Sequence, residues 1–313
     1  MRRSSLGFAL AIALAPGCAG VGPARPDRPR PREDALVRDY LAAVVTRPPE
    51  AVIRRFDLDT TFYAKYADAT GIPILASARV PDEALVVARD IVNHMLAARP
   101  DLRADVIVRG GRVGVMAVTE MTTDIPEQRD WKKPAYDDPR LTDRERERYY
   151  QPGGIASMTD REYWNRRARG MGGTFTTCAE ENILGYPGTR YFGENILVHE
   201  FSHSIMTSVR RVDPALYAEL EAAYAEARAK GMYGRHYAMN TLAEYWAEGT
   251  QWWFGSNYPA TFDGQRVWTP EEFQRYDPKL YGILARVYPD HHIPMDVYHR
   301  FEREGRGRRV TSP

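Results

Sequence analysis

Cysteine is scarce in this sequence of 313 residues, which has only Cys18 near its start and Cys178 near its middle. A framework of internal disulfides is therefore excluded. No neighbouring residue offers Cys178 a base partner, so we interpret it as a buried or loop thiol rather than a nucleophile. The fold must be stabilised by a hydrophobic core, and a composition that is 43% hydrophobic can build one.

An excess of either charge is also missing. The 43 Lys and Arg residues nearly balance the 42 Asp and Glu residues, for a formal net charge of +1. This balance implies neither a nucleic-acid partner nor a membrane-surface role. The basic clusters at 144–148 and 166–169 are short or alternating, which is typical of solvated helix faces. The glycine-rich segment 170–173 lacks the lysine of a phosphate loop and is interpreted as a turn. No internal repeat is visible.

No apolar run in the amino-terminal region is long enough to span a bilayer, because the run at 6–14 is too short. It follows a basic start and precedes small residues, which predicts an export signal. The ending resembles a bacterial lipoprotein signal, in which Cys18 is the lipidated residue. Leu14 is one position too far from Cys18 for that pattern, so ordinary cleavage near Ala19 stays open. We predict export from a bacterial cytoplasm, with a lipid anchor at the cell envelope or else a secreted or periplasmic product.

One pattern typical of metal chemistry is present, an H-E-x-x-H motif at residues 199–203. The apolar residues around it predict a largely buried helix. Because residues four apart on a helix face the same side, His199 and His203 can present two imidazole nitrogens to one metal ion. Glu200 points near the same edge, where it can take a proton from a metal-bound water. The pattern suits zinc, which in catalytic sites has three protein ligands and an open position for water.

Two glutamates farther along the chain offer a third ligand. Glu244 and Glu248 are one helical turn apart in a segment rich in large apolar residues. Two carboxylates on a buried helix need partners, and a zinc ion with its histidines supplies them. A solvent-facing acidic stripe is the alternative. The preceding H-E-x-x-H helix favours the metal interpretation.

With these residues, the segment resembles the zinc site of the anthrax lethal factor catalytic domain and of the Pro-Pro endopeptidases, within the gluzincin metallopeptidases. Those proteins carry H-E-x-x-H and, some forty residues later, a tyrosine, six intervening residues and a glutamate ligand in an E-[aromatic]-[aromatic]-A-E run. Here that run occupies residues 244–248, and Tyr237 stands seven residues before Glu244. The resemblance covers about residues 194–254.

The resemblance implies a zinc-dependent endopeptidase with a role for each matched residue. The implied Zn²⁺ ligands are His199, His203 and Glu244. Glu200 would accept the proton of the zinc-bound water and deliver it to the leaving amine. Tyr237 would stabilise the oxyanion, and Glu248 would accept a hydrogen bond from a ligating histidine. Tyr233 competes with Tyr237 for the oxyanion role, and Tyr237 could instead be a core residue; the spacing favours Tyr237. The other histidines lack ligand spacing and are left out: His94, His291, His292 and His299.

Hydropathy and turn signals predict an α+β fold, which the resemblance makes zincin-like. It has a small α/β amino-terminal subdomain, the H-E-x-x-H helix and a mainly helical carboxy-terminal subdomain. Predicted helices cover 33–45, 81–99, a segment from about 194, 213–230, and segments beginning near 241 and 269. Predicted strands are 105–108 and 113–118, paired as a hairpin around Gly110 and Gly111, and 174–177. Residues 122–170 are predicted to be a long irregular connection.

The predicted domains are an export signal at 1–18, a Pro/Arg-rich tether at 19–32, an amino-terminal subdomain at 33–193 and a carboxy-terminal subdomain at 194–313. In metallopeptidases of this layout the substrate lies extended along a sheet edge beside the metal. One of the strands at 105–119 or 174–177 is expected to provide that edge.

Three functions stay open. We favour a zinc endopeptidase that acts on a protein or peptide substrate. The second is a catalytically inactive, zinc-containing binding lipoprotein, against which Glu200 and Tyr237 argue because a structural zinc needs neither. The third is a zinc amide hydrolase that acts on non-peptide substrates such as cell-wall fragments. Neither a cleavage preference nor an oligomeric state follows from these residues.

Overall fold

A mixed α+β arrangement, with a small sheet and many helices, makes up the computed structural model, which describes residues 35–294. The export signal at 1–18, its lipid anchor at Cys18, the tether at 19–32 and His299 lie outside the described residues and stay predictions. Within the described range, no helix is both long enough and apolar enough to cross a membrane.

The described strands are β1 Lys65–Asp68, β2 Pro73–Ala76, β3 Arg112–Met116, β4 Phe175–Ala179, β5 Ala260–Phe262 and β6 Gln265–Val267. The main sheet has four of them, in the order β1-β2-β3-β4. β1 and β2 are antiparallel, whereas β2 with β3 and β3 with β4 are parallel. Every residue of β2 is buried, as expected for a strand covered on both faces. A separate pair, β5 and β6, is antiparallel.

Helices surround this sheet and form most of the carboxy-terminal half. The structure has a helix in each region where the sequence predicts one, at 33–45, 81–99, 194 onward, 213–230, 241 onward and 269 onward, although the helix predicted at 81–99 ends at Met95. The helices are α1 Ala35–Val44, α2 Glu50–Phe56, α3 Asp82–Met95, α4 Pro100–Val108, α5 Asp143–Arg148, α6 Asp160–Arg167, α7 Glu180–Ile183, α8 Ile196–Val212, α9 Pro214–Ala229, α10 Leu242–Trp253, α11 Pro270–Tyr276 and α12 Pro278–Leu284.

The predicted hairpin at 105–118 is wrong, because residues 105–108 form the end of α4. Pro100 and Asp101 in its first turn start the helix, since proline is tolerated there and an acidic residue complements the helix dipole. Gly110 takes a φ of +79°, and the amide of Gly111 donates to the carbonyl of Val106 at 2.8 Å. The two glycines therefore end a helix rather than turn a hairpin.

The position of β3 decides which strand can serve as a sheet edge. It lies between β2 and β4, so the prediction that 105–119 offers an edge is wrong. β4, which matches the predicted strand at 174–177, does lie at an edge. Part of that edge is already paired, because Met171 and Thr177 exchange backbone hydrogen bonds of 3.1 and 2.8 Å. The glycine-rich segment 170–173 thus lies alongside β4.

Residues 122–170 are more regular than predicted. They contain α5, α6 and three short 3-10 turns. Both helices begin with capping boxes, Thr142 with Glu145 and Thr159 with Glu162, which are local signals that the sequence offered. The 131–169 segment also encloses a small hydrophobic cluster of its own. Its buried members are Leu141, Tyr149, Ile155, Tyr163 and Trp164.

The prediction that the basic cluster at 166–169 forms a solvated helix face is wrong for Arg169. Arg169 is buried, and its guanidinium binds both carboxylate oxygens of Glu181 at 2.7 and 2.9 Å. It also donates to the backbone carbonyls of Ala117, at 3.1 Å, and Glu120. Arg169 therefore joins the end of the 131–169 segment to the chain that follows β3 and to α7. Arg166 is exposed, whereas Arg167 is half-buried.

The largest hydrophobic cluster has members from the sheet, α3, α8, α10 and α12. Residues on both sides of the predicted boundary at 193/194 share this core, and the division into two subdomains stays a prediction. Cys178 lies within the core as a buried free thiol, in agreement with its interpretation as a structural residue.

Candidate active site

The H-E-x-x-H motif lies in the first half of α8. The side chain of Asn195 caps this helix by accepting from the amide of Val198 at 3.2 Å. The apolar side chains of Leu197, Phe201 and Ile205 recur at helical spacing and are buried in the main core. Their burial turns the other side of the helix, with both histidines and Glu200, toward a cleft.

The second helix of the site, α10, begins at the capping residue Thr241, whose hydroxyl accepts from the amide of Glu244 at 3.2 Å. It packs against α8 through a run of buried aromatic residues. One contact fixes the two helices directly, because the indole of Trp246 donates to the carbonyl of Ser202 at 2.9 Å. Glu244, in the first turn, therefore lies opposite the histidine pair.

Four side-chain atoms from the two helices meet in this cleft. Glu244 Oε2 lies 3.0 Å from His199 Nε2 and 3.8 Å from His203 Nε2. Glu200 Oε2 lies 3.9 Å from His203 Nε2. Ligand atoms of His199, Glu200 and His203 also lie within 4.8 Å of one another. The fold thus brings together two imidazoles and two carboxylates, and either glutamate is within reach of a cation held by the histidines.

The partner behind His199 differs from the one that the resemblance implied. His199 Nδ1 is 3.0 Å from Gln251 Oε1, whereas Glu248 Oε1 is 3.8 Å away. The amide nitrogen of Gln251 donates to the carbonyl of Asn195 at 3.1 Å, which turns its oxygen toward the imidazole. His199 therefore donates from Nδ1 to Gln251 and turns Nε2 toward the cleft, where Glu244 Oε2 lies 3.0 Å away. Glu248 Oε2 instead accepts from Asn257 at 2.7 Å.

Sequence reasoning missed Gln251, although a signal was available. It follows Glu244 by seven residues, two helical turns, and so lies on the same side of α10. An amide at that position can accept from a histidine without adding a charge to the core.

Tyr237 lies at the mouth of the site, in the 3-10 turn Tyr237–Met239 that leads into α10. Its ring is stacked with the imidazole of His199, with centroids 6.4 Å apart. Tyr237 lines the cleft together with Glu244 and with Arg167 of α6. Tyr233 is buried elsewhere and donates to Asp277 at 2.9 Å. The structure therefore brings Tyr237, and not Tyr233, to the histidine pair.

Burial controls the protonation of the two residues nearest the cleft. It raises the pKa of Glu200 to about 7, although the charge of His199 opposes the shift. It lowers the pKa of His203 to about 4, so that this imidazole is neutral near pH 7 and has a free lone pair. A carboxylate with a pKa near neutrality is suited to accept and return a proton.

His199 and Glu244 shift each other's pKa in opposite directions. Burial alone would lower the pKa of His199, but its hydrogen bond to Glu244 and the charges of nearby glutamates raise it well above the usual range. Burial opposes ionisation of Glu244, yet the two histidines lower its pKa to about 2. Four carboxylates line the cleft around these residues, those of Glu194, Glu200, Glu244 and Glu248. Such an excess of buried negative charge favours a bound cation.

The cleft has a volume of about 950 Å³, at the upper end of the range for small-molecule sites. One wall is formed by α8 and α10. The opposite wall comes from the 131–169 segment, which contributes Tyr163, Trp164 and Arg167, and from the glycine-rich segment 170–173. The site therefore lies between the main core and the region that the sequence predicted to be irregular.

Gly172 permits the close approach of segment 170–173 to α8. A Cβ atom at this position would lie 2.5 Å from His203 Cδ2 and 3.0 Å from Glu200 Oε2. We expect Gly172→Ala to displace both side chains and to lower any hydrolytic activity about tenfold or more, since misplacement by about 1 Å can cost a hundredfold. Turnover and melting temperature should be measured beside Gly282→Ala, whose added Cβ has no atom within 4 Å and whose backbone is not left-handed. Equal turnover in both variants would contradict the close approach.

Of the remaining histidines in the described residues, His236 lines the cleft next to Tyr237, whereas three others lie away from it. His94 pairs with Asp290 at 3.0 Å, and His291 contacts Tyr281 at 3.0 Å. Neither these residues nor His292 lines the cavity.

No protein-family model matches the chain, and no curated protein matches it. Among solved structures, the Pro-Pro endopeptidase PPEP-2 from Paenibacillus alvei aligns with a TM-score of 0.41 and 13% identity, over 69% of this chain and 96% of that chain. Similarity at that level is distant and carries no argument about the role of any residue. Functional conclusions depend on the geometry of the cleft.

Proposed function

We propose that this protein is a zinc-dependent peptidase that cleaves peptide bonds within a protein or peptide substrate. One observation carries the proposal: a carboxylate oxygen of Glu244 lies close to Nε2 of both His199 and His203, with Glu200 beside them in an open cleft. Two imidazoles, two carboxylates and a tyrosine hydroxyl can together hold a zinc ion, move a proton and stabilise an oxyanion, the three tasks of metal-assisted amide hydrolysis.

The donor set fits zinc. Its three nearest atoms are two imidazole nitrogens and one carboxylate oxygen, which are common ligands of catalytic zinc. Gln251 orients His199 from behind, as residues that support metal-ligating histidines do. We assign Glu244 as the third ligand because it approaches both histidines, at 3.0 and 3.8 Å, more closely than Glu200 does. Glu200 is then left free for proton transfer.

Zinc bound by these residues would supply a Lewis acid that polarises the scissile carbonyl and lowers the pKa of water. Glu200 accepts the proton of the attacking water and returns it to the leaving amine. A bound cation would lower the pKa of Glu200 below the value of about 7 that burial produces, so that its carboxylate would be ionised at neutral pH. Its buried position keeps bulk water from competing for the proton.

Tyr237 donates a hydrogen bond from its hydroxyl to the oxyanion that forms on the substrate. Burial and the charge of Glu244 raise its pKa, which keeps the hydroxyl protonated and able to donate. Gln251 holds the ring of His199 in place. Glu248 lies behind it and is itself held by Asn257. Its buried carboxylate contributes charge to the site rather than a direct hydrogen bond.

Two alternatives use the same residues. A zinc-containing protein that binds a partner without turnover needs the three ligands, but it needs neither Glu200 nor Tyr237. A zinc amide hydrolase would use all five on a non-peptide substrate. No cleavage preference is carried over from the resemblance.

Metal content and turnover measured together test the proposal. We expect one zinc per chain in the purified protein and cleavage of some members of a diverse peptide library, detected by mass spectrometry. Zinc without cleavage of any peptide, but with hydrolysis of cell-wall fragments, would favour the non-peptide hydrolase. Zinc without any turnover would favour the binding protein. Absence of zinc from a folded sample would refute all three.

Removal of the metal gives a second readout that does not depend on finding the substrate. We expect a chelator such as 1,10-phenanthroline to abolish cleavage and to lower the melting temperature by on the order of 10 °C. A ligand whose Kd is far below its free concentration stabilises the native state by several kcal/mol, and the chelator removes that stabilisation. Added zinc should restore both. An unchanged melting temperature after complete zinc removal would contradict a site shared by α8 and α10.

A further inference from the structure

His236 forms part of the cleft wall, one residue before Tyr237. Its half-buried imidazole packs against two aromatic rings of the main core, with centroids 5.6 Å from Trp252 of α10 and 5.2 Å from Phe262 of β5. The rings of Trp252 and Phe262 also contact each other, with centroids 5.8 Å apart. Packing therefore holds the imidazole of His236 in one place.

One hydrogen bond fixes which nitrogen of this ring carries the proton. Nδ1 of His236 accepts from the backbone amide of Ala238 at 3.2 Å, in a contact that caps the turn Tyr237–Met239. Because an amide N–H group can only donate, Nδ1 has no proton, and a neutral imidazole then carries its proton on Nε2. Burial lowers the pKa of His236, which keeps the ring neutral at pH 7. His236 thus offers one donor, the Nε2–H group.

That donor is not used within the described part of the protein. No residue in 35–294 accepts a hydrogen bond from Nε2 of His236, and the atom is accessible to solvent. His291 gives the contrast, since its two ring nitrogens lie 2.9 Å from the carbonyl of Trp253 and 3.0 Å from the hydroxyl of Tyr281. A free donor that is fixed in a cleft wall is suited to an acceptor on a bound ligand.

The position beside Tyr237 narrows the kind of acceptor. The ring of Tyr237 stacks on that of His199, with centroids 6.4 Å apart, so the residue before it lies near the scissile bond of a substrate held there. A neutral imidazole has no charge with which to attract a carboxylate. A backbone carbonyl is an uncharged acceptor, and every peptide presents one at each residue. The donor therefore suits a carbonyl of the peptide backbone.

We propose that His236 is a substrate-binding residue, whose Nε2–H group donates a hydrogen bond to a backbone carbonyl one or two residues from the scissile bond. The inference rests on the proposed function and adds to it a contact that the resemblance did not include. Because the acceptor is a backbone atom, the contact does not select for any substrate side chain. It is made in the bound substrate and in the transition state alike, so it lowers KM without raising kcat.

Two amide substitutions separate the roles of the two ring nitrogens. His236→Asn keeps an oxygen near the place of Nδ1, where it can still accept from the amide of Ala238, but it has no group near the place of Nε2. His236→Gln reaches the place of Nε2 with its amide nitrogen, but it lacks the capping acceptor. On one peptide that the wild type cleaves, we expect His236→Asn to raise KM about 5- to 10-fold at nearly constant kcat, the effect of one lost hydrogen bond. His236→Gln should keep KM within about twofold of the wild type.

The matched control is His292→Asn, which changes an exposed imidazole that does not line the cleft. It should keep the wild-type kcat and KM. Zinc content and melting temperature are measured for each protein. If His236→Asn does not fold, His236→Ser takes its place, because a serine hydroxyl can also cap the turn.

The outcomes distinguish the inference from the function beneath it. An unchanged KM in His236→Asn would overturn the binding role while leaving the peptidase intact. A rise in KM that His236→Gln does not reduce, or a fall in kcat at constant KM, would also overturn it, since the imidazole would then act through the turn that it caps. A wild type without cleavage that depends on Glu200 would overturn the proposed function, and the binding role with it. A raised KM in His236→Asn that is restored in His236→Gln, at full zinc content, supports the inference.

Discussion

A protein carrying Glu200→Gln is expected to bind one zinc per chain, to melt at nearly the wild-type temperature, and to lose peptide hydrolysis by roughly a hundredfold to ten-thousandfold, the range that proton-transfer residues supply. Glutamine has the shape of glutamate, so the buried pocket beside His203 stays filled. Its amide oxygen cannot take up a proton at neutral pH. The substitution therefore removes the proton acceptor without removing any of the three proposed ligands.

The matched control for this experiment is Glu221→Gln, an equal change at an exposed position of α9. It should leave zinc content, melting temperature and turnover at their wild-type values. Full turnover in Glu200→Gln would show that the proton goes elsewhere, and it would refute the proposed mechanism. Loss of zinc in that variant would mean that Glu200, rather than Glu244, completes the metal site.

Arg169→Met is expected to lower the free energy of unfolding by about 3–5 kcal/mol, the usual cost of removing one partner of a buried ion pair. Arg169 and Glu181 are each less than 10% exposed, and their carboxylate and guanidinium meet at 2.7 and 2.9 Å. Without Arg169, the carboxylate of Glu181 stays buried without its cation. The backbone carbonyls of Ala117 and Glu120 also lose a donor. Urea denaturation of the two proteins measures the difference.

The double variant Arg169→Met with Glu181→Met separates charge burial from packing. Replacing both partners by apolar residues of similar length often costs little, because no charge is left unpaired. We expect the double variant to regain most of the stability lost in Arg169→Met. Arg166→Met, at the exposed position three residues earlier, should change stability by less than about 0.5 kcal/mol. A loss in Arg169→Met no larger than that would contradict a buried, charge-paired Arg169.

The helices that carry the site could be predicted because their signals are local. The apolar residues of α8 repeat at helical spacing, and Thr241 and Thr269 cap α10 and α11 through bonds to amides three residues ahead. Each signal involves residues within one or two turns of each other, so the sequence displays it without any tertiary contact. The distance between His199 and His203 along one helix is of the same kind.

Residues 105–108 show where local signals are ambiguous. A run of β-branched residues fits a strand, but a short apolar run also fits a buried helix. The helix prevails here because Pro100 starts it, Gly110 ends it and α8 packs against it. Two successive glycines fit a hairpin turn as well as a helix end, so the sequence alone does not separate the two.

The sequence by itself determined which donor atoms this protein offers to a metal, because one helical motif sets their spacing. Only the tertiary structure decided which more distant residues join them. Glu248 and Gln251 are one turn apart on α10, and the approach of α10 to α8 puts the oxygen of Gln251, not Glu248, 3.0 Å from His199 Nδ1. Arg167 and Arg169 look alike in a basic cluster, yet one lines the cleft and the other is buried. Such choices depend on differences of about an ångström between elements far apart in the chain, which no local pattern encodes.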